Sequence, residues 1–340
     1  MAILTHWVSP SSPGISVCVA DQTPLPFPSM TISLLPRRST RGFTLAELMV
    51  AMAITVILLT LLVSVTGVAL DGYRISRNKV RASRQAKASL DQMSRDFEAM
   101  VLRTGSNFEW LYTETDPDEP GPPDNESPNA ARILMFSAVT DRYEGDVEGQ
   151  KDKGGDVTGL NYKLLYKDPI TNDYDDKFSV FALYRNLVDP DETFENLLEH
   201  DPVNPKDLDT KFKRYEANLG DSNNFVCENI FELTVVFTVE YTELDRGRLV
   251  TRIERIPIIS TGGDSAAETF RFTGNGIKVD DGENVPFKRG RISSVDLSIT
   301  VLTDSGIATL RKANFTGSDR NRFLAKNSYR YSKTILLPQP

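Results

Sequence analysis

Cysteine and histidine are almost missing from this 340-residue chain, which has only Cys18, Cys227, His6 and His200. Cys18 and His6 precede residue 42, so the rest of the chain holds one of each. One cysteine closes no intramolecular disulfide, and one Cys with one His builds no Cys/His zinc site. A Cys–His nucleophilic pair would need Cys227 and His200 brought together. Cys227 reads instead as a small buried hydrophobe beside the strand that follows it. No GxxxxGK[ST] phosphate loop and no GxSxG elbow occur. Gly274-Asn275-Gly276 lacks the third glycine and the strand–helix context of a dinucleotide site. Paired carboxylates such as Asp175–Asp176 and Asp280–Asp281 read as solvated loops. A net charge of −8 gives no basic surface excess of the kind nucleic-acid binding needs. These absences leave no catalytic residue to name and argue against an enzyme.

What is present is a long apolar run. Residues 48–70 are 23 positions without a charge. At about 1.5 Å per residue a helix of that length reaches roughly 35 Å, enough for a hydrocarbon core of about 30 Å. Glu47 stands at the mouth of the run, and a Gly42-Phe43 step lies just before it. An acid at a membrane boundary is costly unless paired. A secretory signal peptide fits poorly, because the run is too long and no small-residue cleavage site follows it.

The stretch Arg41-Gly42-Phe43-Thr44-Leu45-Ala46-Glu47 with its apolar run resembles the N-terminus of type IV pilins and type II secretion pseudopilins. The resemblance implies cleavage by a prepilin peptidase between Gly42 and Phe43, and N-methylation of Phe43. Glu47 becomes mature position five. Its implied role is assembly, by pairing with the Phe43 ammonium of a neighbouring subunit, or recruitment of the methylating peptidase. Residues 1–42 are then a leader, with Met30 as an alternative start that leaves 13 residues before the cut. The leader carries Asp21 against Arg37, Arg38 and Arg41, so the remainder has a net charge of −10. Residues 43–70 are the transmembrane helix, 71–104 its amphipathic continuation, and 105–340 a periplasmic head. Arg74, Arg77, Lys79, Arg81 and Arg84 follow the run closely, and a literal positive-inside count would put that side in the cytoplasm. The resemblance implies the opposite, a single-pass inner-membrane protein with its head in the periplasm, and large domains translocate despite flanking charge.

Beyond the run, residues 73–103 hold no Gly or Pro. Val80, Leu90, Met93, Phe97 and Met100 or Val101 recur at helical spacing, which predicts one stripe packed on the head. The basic cluster 74–87 reads either as a solvated face or as a contact for lipid headgroups or acidic neighbours. Gly105 is a natural stop. The stretches 113–129 and 140–159 are polar and 186–225 reads as an insertion with short helices near 193–199 and 206–217. Strands are expected at 133–139, 160–166, 178–184, 230–241, 249–259, 291–302 and 329–337, with a turn at Leu244-Asp245-Arg246-Gly247. One long helix followed by mostly antiparallel strands argues an α+β, pilin-like fold.

That order is similar to a J-type minor pseudopilin, and also to the Verru_Chthon cassette proteins of type C. It implies a structural function, priming or capping a short periplasmic pseudopilus of a type II secretion-like system. Its partners would be other pseudopilins, the prepilin peptidase and the inner membrane. A membrane-tethered binding module for a secreted substrate or surface polymer is the alternative. No cofactor is expected. Asp116–Glu119 and Asp280–Glu283 offer oxygen ligands to calcium, but neither has EF-hand spacing.

Overall fold

The computed structural model describes residues 42–105, 107–115, 120–122, 125–139, 155–175, 177–199, 207–260, 267–280, 287, 290–313 and 315–337. Residues 1–41 of the leader, Asp116–Glu119, 140–154 of the second polar stretch, His200 and Asp281–Glu283 lie outside the described residues. The chain divides into two units between Val63 and Ser64.

The first unit holds the start of helix α1, Leu45–Glu98. Its apolar side chains are exposed on every face, for example Met49 at 63%, Leu58 at 60% and Val63 at 70%. A helix that is apolar all round, and that the described residues leave uncovered, belongs in lipid or among other helices.

In the second unit, α1 buries Ala82, Ala86, Ser89, Leu90, Met93, Ser94, Asp96 and Phe97. The spacing of three and four puts them on one stripe, as expected. Val80 is not part of it and remains exposed. The stripe starts instead with the alanines at 82 and 86, whose small side chains admit close approach. The helix ends at Glu98, earlier than the expected 104. The physical reason is competition from a strand: Val101 N–H bonds to Phe136 O at 2.8 Å, and Met100 bridges to Ser137. The chain thus leaves the helix to lie along a sheet. Gly105 comes later, at φ 95°, where its N–H bonds to Gly274 O.

Two antiparallel sheets follow, which establishes the α+β class. The larger has seven strands: β1 (Glu109–Thr115), β2 (Ala131–Ser137), β3 (Thr158–Lys167), β4 (Val180–Val188), β5 (Phe225–Glu228), β8 (Thr269–Thr273) and β9 (Gly276–Val279). Their order is β5-β4-β3-β2-β1-β8-β9. The smaller joins β6 (Ile230–Asp245), β7 (Arg248–Ile258), β10 (Arg291–Leu302) and β11 (Ser328–Leu336) in the order β11-β10-β6-β7. Strand β6 shows why it forms: Leu233, Val235, Phe237 and Val239 are fully buried while the residues between them are not. A period of two with β-branched and aromatic residues suits a half-buried pleat. The sheets share one core, with Phe237 stacked on Phe270 at 4.0 Å and Phe181 edge-on to Phe231 at 5.1 Å. The β6–β7 turn is Arg246-Gly247, both at positive φ, which fits a two-residue hairpin with glycine second.

The described parts of 186–225, residues 186–199 and 207–225, contribute to the core rather than forming a peripheral loop. Helix α2 (Pro190–Glu192) runs into a π-turn at Thr193–Leu197, and α3 (Leu208–Phe212) into a short 3-10 turn. Leu197, Leu208 and Phe212 are buried. Gly159 on β3 makes room for them: a Cβ there would lie 2.5 Å from Leu197 Cδ1 and 3.1 Å from Phe212 Cζ. Two more helices, α4 (Asp304–Leu310) and α5 (Gly317–Asn327), connect β10 to β11. Part of the polar 113–129 stretch is packed too. Asn125 is buried and donates to Leu310 O and Ala313 O.

Candidate functional site

The site the sequence singled out is the start of α1. Thr44 and Glu47 form a reciprocal pair there. Thr44 N–H donates to Glu47 Oε2 at 2.9 Å, the Thr44 hydroxyl donates to the same oxygen at 3.0 Å, and Glu47 N–H donates to Thr44 Oγ1 at 3.3 Å. This is a capping box, which satisfies amide groups that the first helical turn leaves without partners. Intersubunit pairing or peptidase recruitment, the roles the resemblance implies for Glu47, do not include this local one. The Thr-x-x-Glu spacing ahead of an apolar run is the signal that reveals it. Gly42 has open space around it, with nothing within 4 Å of where a Cβ would lie, and Phe43 is 85% exposed. The Gly42–Phe43 bond is therefore uncovered by the described chain.

The second part of the site is the anchorage of α1 on its head, which the sequence did not reveal. Asp96 is 1% exposed. It accepts from Arg185 Nε at 2.6 Å and from Arg185 Nη2 at 3.0 Å. It also accepts from the Tyr162 hydroxyl, while its backbone carbonyl accepts from Ser137 Oγ at 2.8 Å. Tyr162 and Arg185 are directly opposite on β3 and β4 and so reach the same acid. Burial, and then the Asp96 carboxylate, raise the Tyr162 hydroxyl well above a phenol's ordinary range. It therefore stays a donor. An acid one position before Phe97 of the apolar stripe was the available signal. Toward the start of the helix, Lys333 Nζ donates to Asp91 at 2.8 Å. Further still in that direction, Arg81 bonds Asp304 at 2.5 Å and also Glu228.

A third charged centre holds the insertion. Buried Arg132 on β2 lies 3.0 Å from Glu114, 2.7 Å from Asp209 and 2.7 Å from Glu216. Beside it, Glu109 accepts the Leu208 N–H at 2.7 Å, and burial raises its carboxyl above the usual range. Together these contacts tie the 207–216 segment to β1 and β2.

Cys227 is buried on β5, as expected, and burial pushes its thiol up to about 11. Asp280, half of one candidate calcium pair, accepts from Glu268 N–H and Thr269 N–H and so ties the open end of the β8–β9 hairpin. Among the described residues no group of three or more Cys, His, Asp or Glu side chains could hold a metal ion.

Residues 37–63 match the prokaryotic N-terminal methylation motif, the signature of type IV pilin-like precursors. The match spans Gly42, Phe43, Glu47 and the first part of the apolar run. A type IV-like pilin from Thermus thermophilus aligns over 76% of this chain and 96% of its own, at 9% identity and a TM-score of 0.28. That similarity is too low to bear on the fold. No curated protein matches the chain.

Proposed function

We propose that this chain is a minor pseudopilin, a structural subunit that primes or caps a short periplasmic pseudopilus of a type II secretion-like system. The methylation motif at residues 37–63 is the observation that carries the reading. Prepilin peptidase cleaves after Gly42 and methylates Phe43. Residues 43–70 then hold the protein in the inner membrane as a single-pass anchor, and the helix continues from 71 to Glu98, where the periplasmic head takes over. The continuous α1 and its uncovered apolar surface support this. Neighbouring subunits would cover that surface by helix packing.

Glu47 has two successive roles in this reading. In the precursor it caps its own helix through Thr44. Cleavage frees an amine at Phe43, and a neighbouring subunit's amine then competes for the carboxylate. A charge pair in a low-dielectric layer is stronger than the same pair at a surface. The function needs no catalysis by the chain itself.

N-terminal mass spectrometry of the protein extracted from membranes tests the cleavage. The expected result is a chain beginning with N-methylated Phe43, and an uncut precursor for Gly42→Val. A chain beginning at residue 1 or after Ala69 would refute it.

A further inference from the structure

Arg74, Arg77, Arg81 and Arg84 recur along α1 at spacings of three, four and three, so they lie along one helix face. The last three, with Tyr73 and Val80, border an open groove of about 500 Å³. Arg81, in the middle, is satisfied within the chain by Asp304 and Glu228. Arg77 and Arg84 on either side are exposed and have no carboxylate partner among the described residues. The face thus repeats one chemistry three times, and only its central member is filled.

We infer that Arg77 and Arg84 receive carboxylates from the acidic head of a second copy of this chain. The inference rests on the assembly reading above and adds to it a surface and a partner. Charge complementarity supports it. The chain's −8, less +2 for residues 1–42 and +4 for residues 43–87, leaves −14 on residues 88–340. Each copy therefore carries a basic helix segment and a strongly acidic head. The head's own Glu228 and Asp304 show that carboxylates fit this helix face. Tyr73 and Val80 add exposed apolar surface whose covering would exclude water around the incoming acids.

An anionic lipid headgroup is the competing occupant, and distance along the helix disfavours it. The headgroup layer adds roughly 5–7 Å per leaflet beyond the hydrocarbon. At about 1.5 Å per residue, Arg77 lies roughly 10 Å and Arg84 roughly 21 Å past Leu70. Lipid phosphates can reach Arg74 but cannot fill a groove that extends to Arg84.

The test uses the full chain reconstituted in phosphatidylcholine vesicles, with donor-labelled and acceptor-labelled copies mixed. The expected result is energy transfer that falls with added salt, because exposed charges are screened. Arg77→Glu/Arg84→Glu should weaken apparent self-association roughly tenfold or more, and Arg77→Lys/Arg84→Lys should retain most of it. Both residues are exposed, so the urea midpoint should not move, and circular dichroism checks this. Unchanged transfer in the Glu variant would overturn the inference. So would its absence in the unaltered chain, or its appearance only when phosphatidylglycerol is added. N-terminal mass spectrometry of the same sample reports on processing separately, so the surface can fail while the assembly reading stands.

Discussion

Asp96→Ala should be the most damaging single polar-to-alanine change in the head. The carboxylate is buried and accepts two bonds from Arg185 and one from the Tyr162 hydroxyl. Its removal strands a guanidinium whose side chain is only 12% exposed. Breaking a buried pair on one side costs about 3–5 kcal/mol, most of it from the charge left behind. With a urea slope near 3 kcal/mol per molar for a domain of this size, the midpoint should fall by about 1–1.7 M. Trp110 is buried beside Phe108 and Phe136, so its fluorescence reports loss of the seven-stranded sheet. The reasoning also makes a prediction of opposite sign. Asp96→Leu combined with Arg185→Met and Tyr162→Phe removes all three polar partners together. That variant should recover most of the lost stability, because apolar replacement of a buried pair is often close to neutral. The three sites touch, so strong non-additivity is expected. An Asp96→Ala cost below about 1 kcal/mol, or additive losses on combination, would refute the account of the network.

A fragment beginning at Asp71 should be soluble and unfold cooperatively, whereas one beginning at Gly105 should aggregate. The shorter one loses Leu90, Met93 and Phe97, each contributing about 1.5–3 kcal/mol on burial, and it strands Arg185. Equal stability of the two would mean the helix is not integral to the head. Glu47→Gln should still insert in membranes but impair crosslinking to neighbouring subunits. Thr44→Ala should cost about 1 kcal/mol of helix start while leaving crosslinking intact, which separates capping from assembly. The Lys333 hydrogen bond lowers the Asp91 carboxyl below its ordinary 3.8. A carboxyl depressed in the folded state stabilises above its unfolded value and loses that contribution as pH falls through the lowered one. Urea midpoints of the unaltered chain should therefore fall more steeply below pH 4 than those of Asp91→Asn, and parallel curves would exclude the effect.

How far the fold could be read from sequence depended on whether a segment's reasons for folding were local. β6 was legible because its buried residues alternate from Phe231 to Tyr241, and β10 because most of its first half alternates and both are rich in β-branched residues. The expected bounds for β10, 291–302, coincide with the strand. β1 was lost because its sequence, EWLYTET, runs into an acidic, proline-rich stretch. Its acids have distant cationic partners, Arg271 for Glu109 and Arg132 for Glu114. α5 buries Phe323 alone among its eleven residues, so it shows almost no stripe to detect. The Asp96 network was invisible for the same reason. Its partners lie 66 and 89 residues away, and no local pattern brings Tyr162 and Arg185 together.

The helix itself carries the deeper contrast. Its N-terminal portion is specified by what the described residues leave uncovered: an unbroken apolar surface behind a capping box, with the Gly-Phe step in the open. Its C-terminal portion is specified by what the head provides: an apolar stripe for packing, and Arg185, Tyr162 and Lys333 for its two buried or half-buried acids. The first portion needs other molecules to be stable, and the second needs only its own chain. A subunit so divided can fold its head before assembly and still leave its helix to be completed by neighbours. The basic residues 74–87 mark the change from one regime to the other. There Arg81 is held by the head while Arg77 and Arg84 are not, so that short segment is where a neighbour's charge can bear on a helix the head has already fixed.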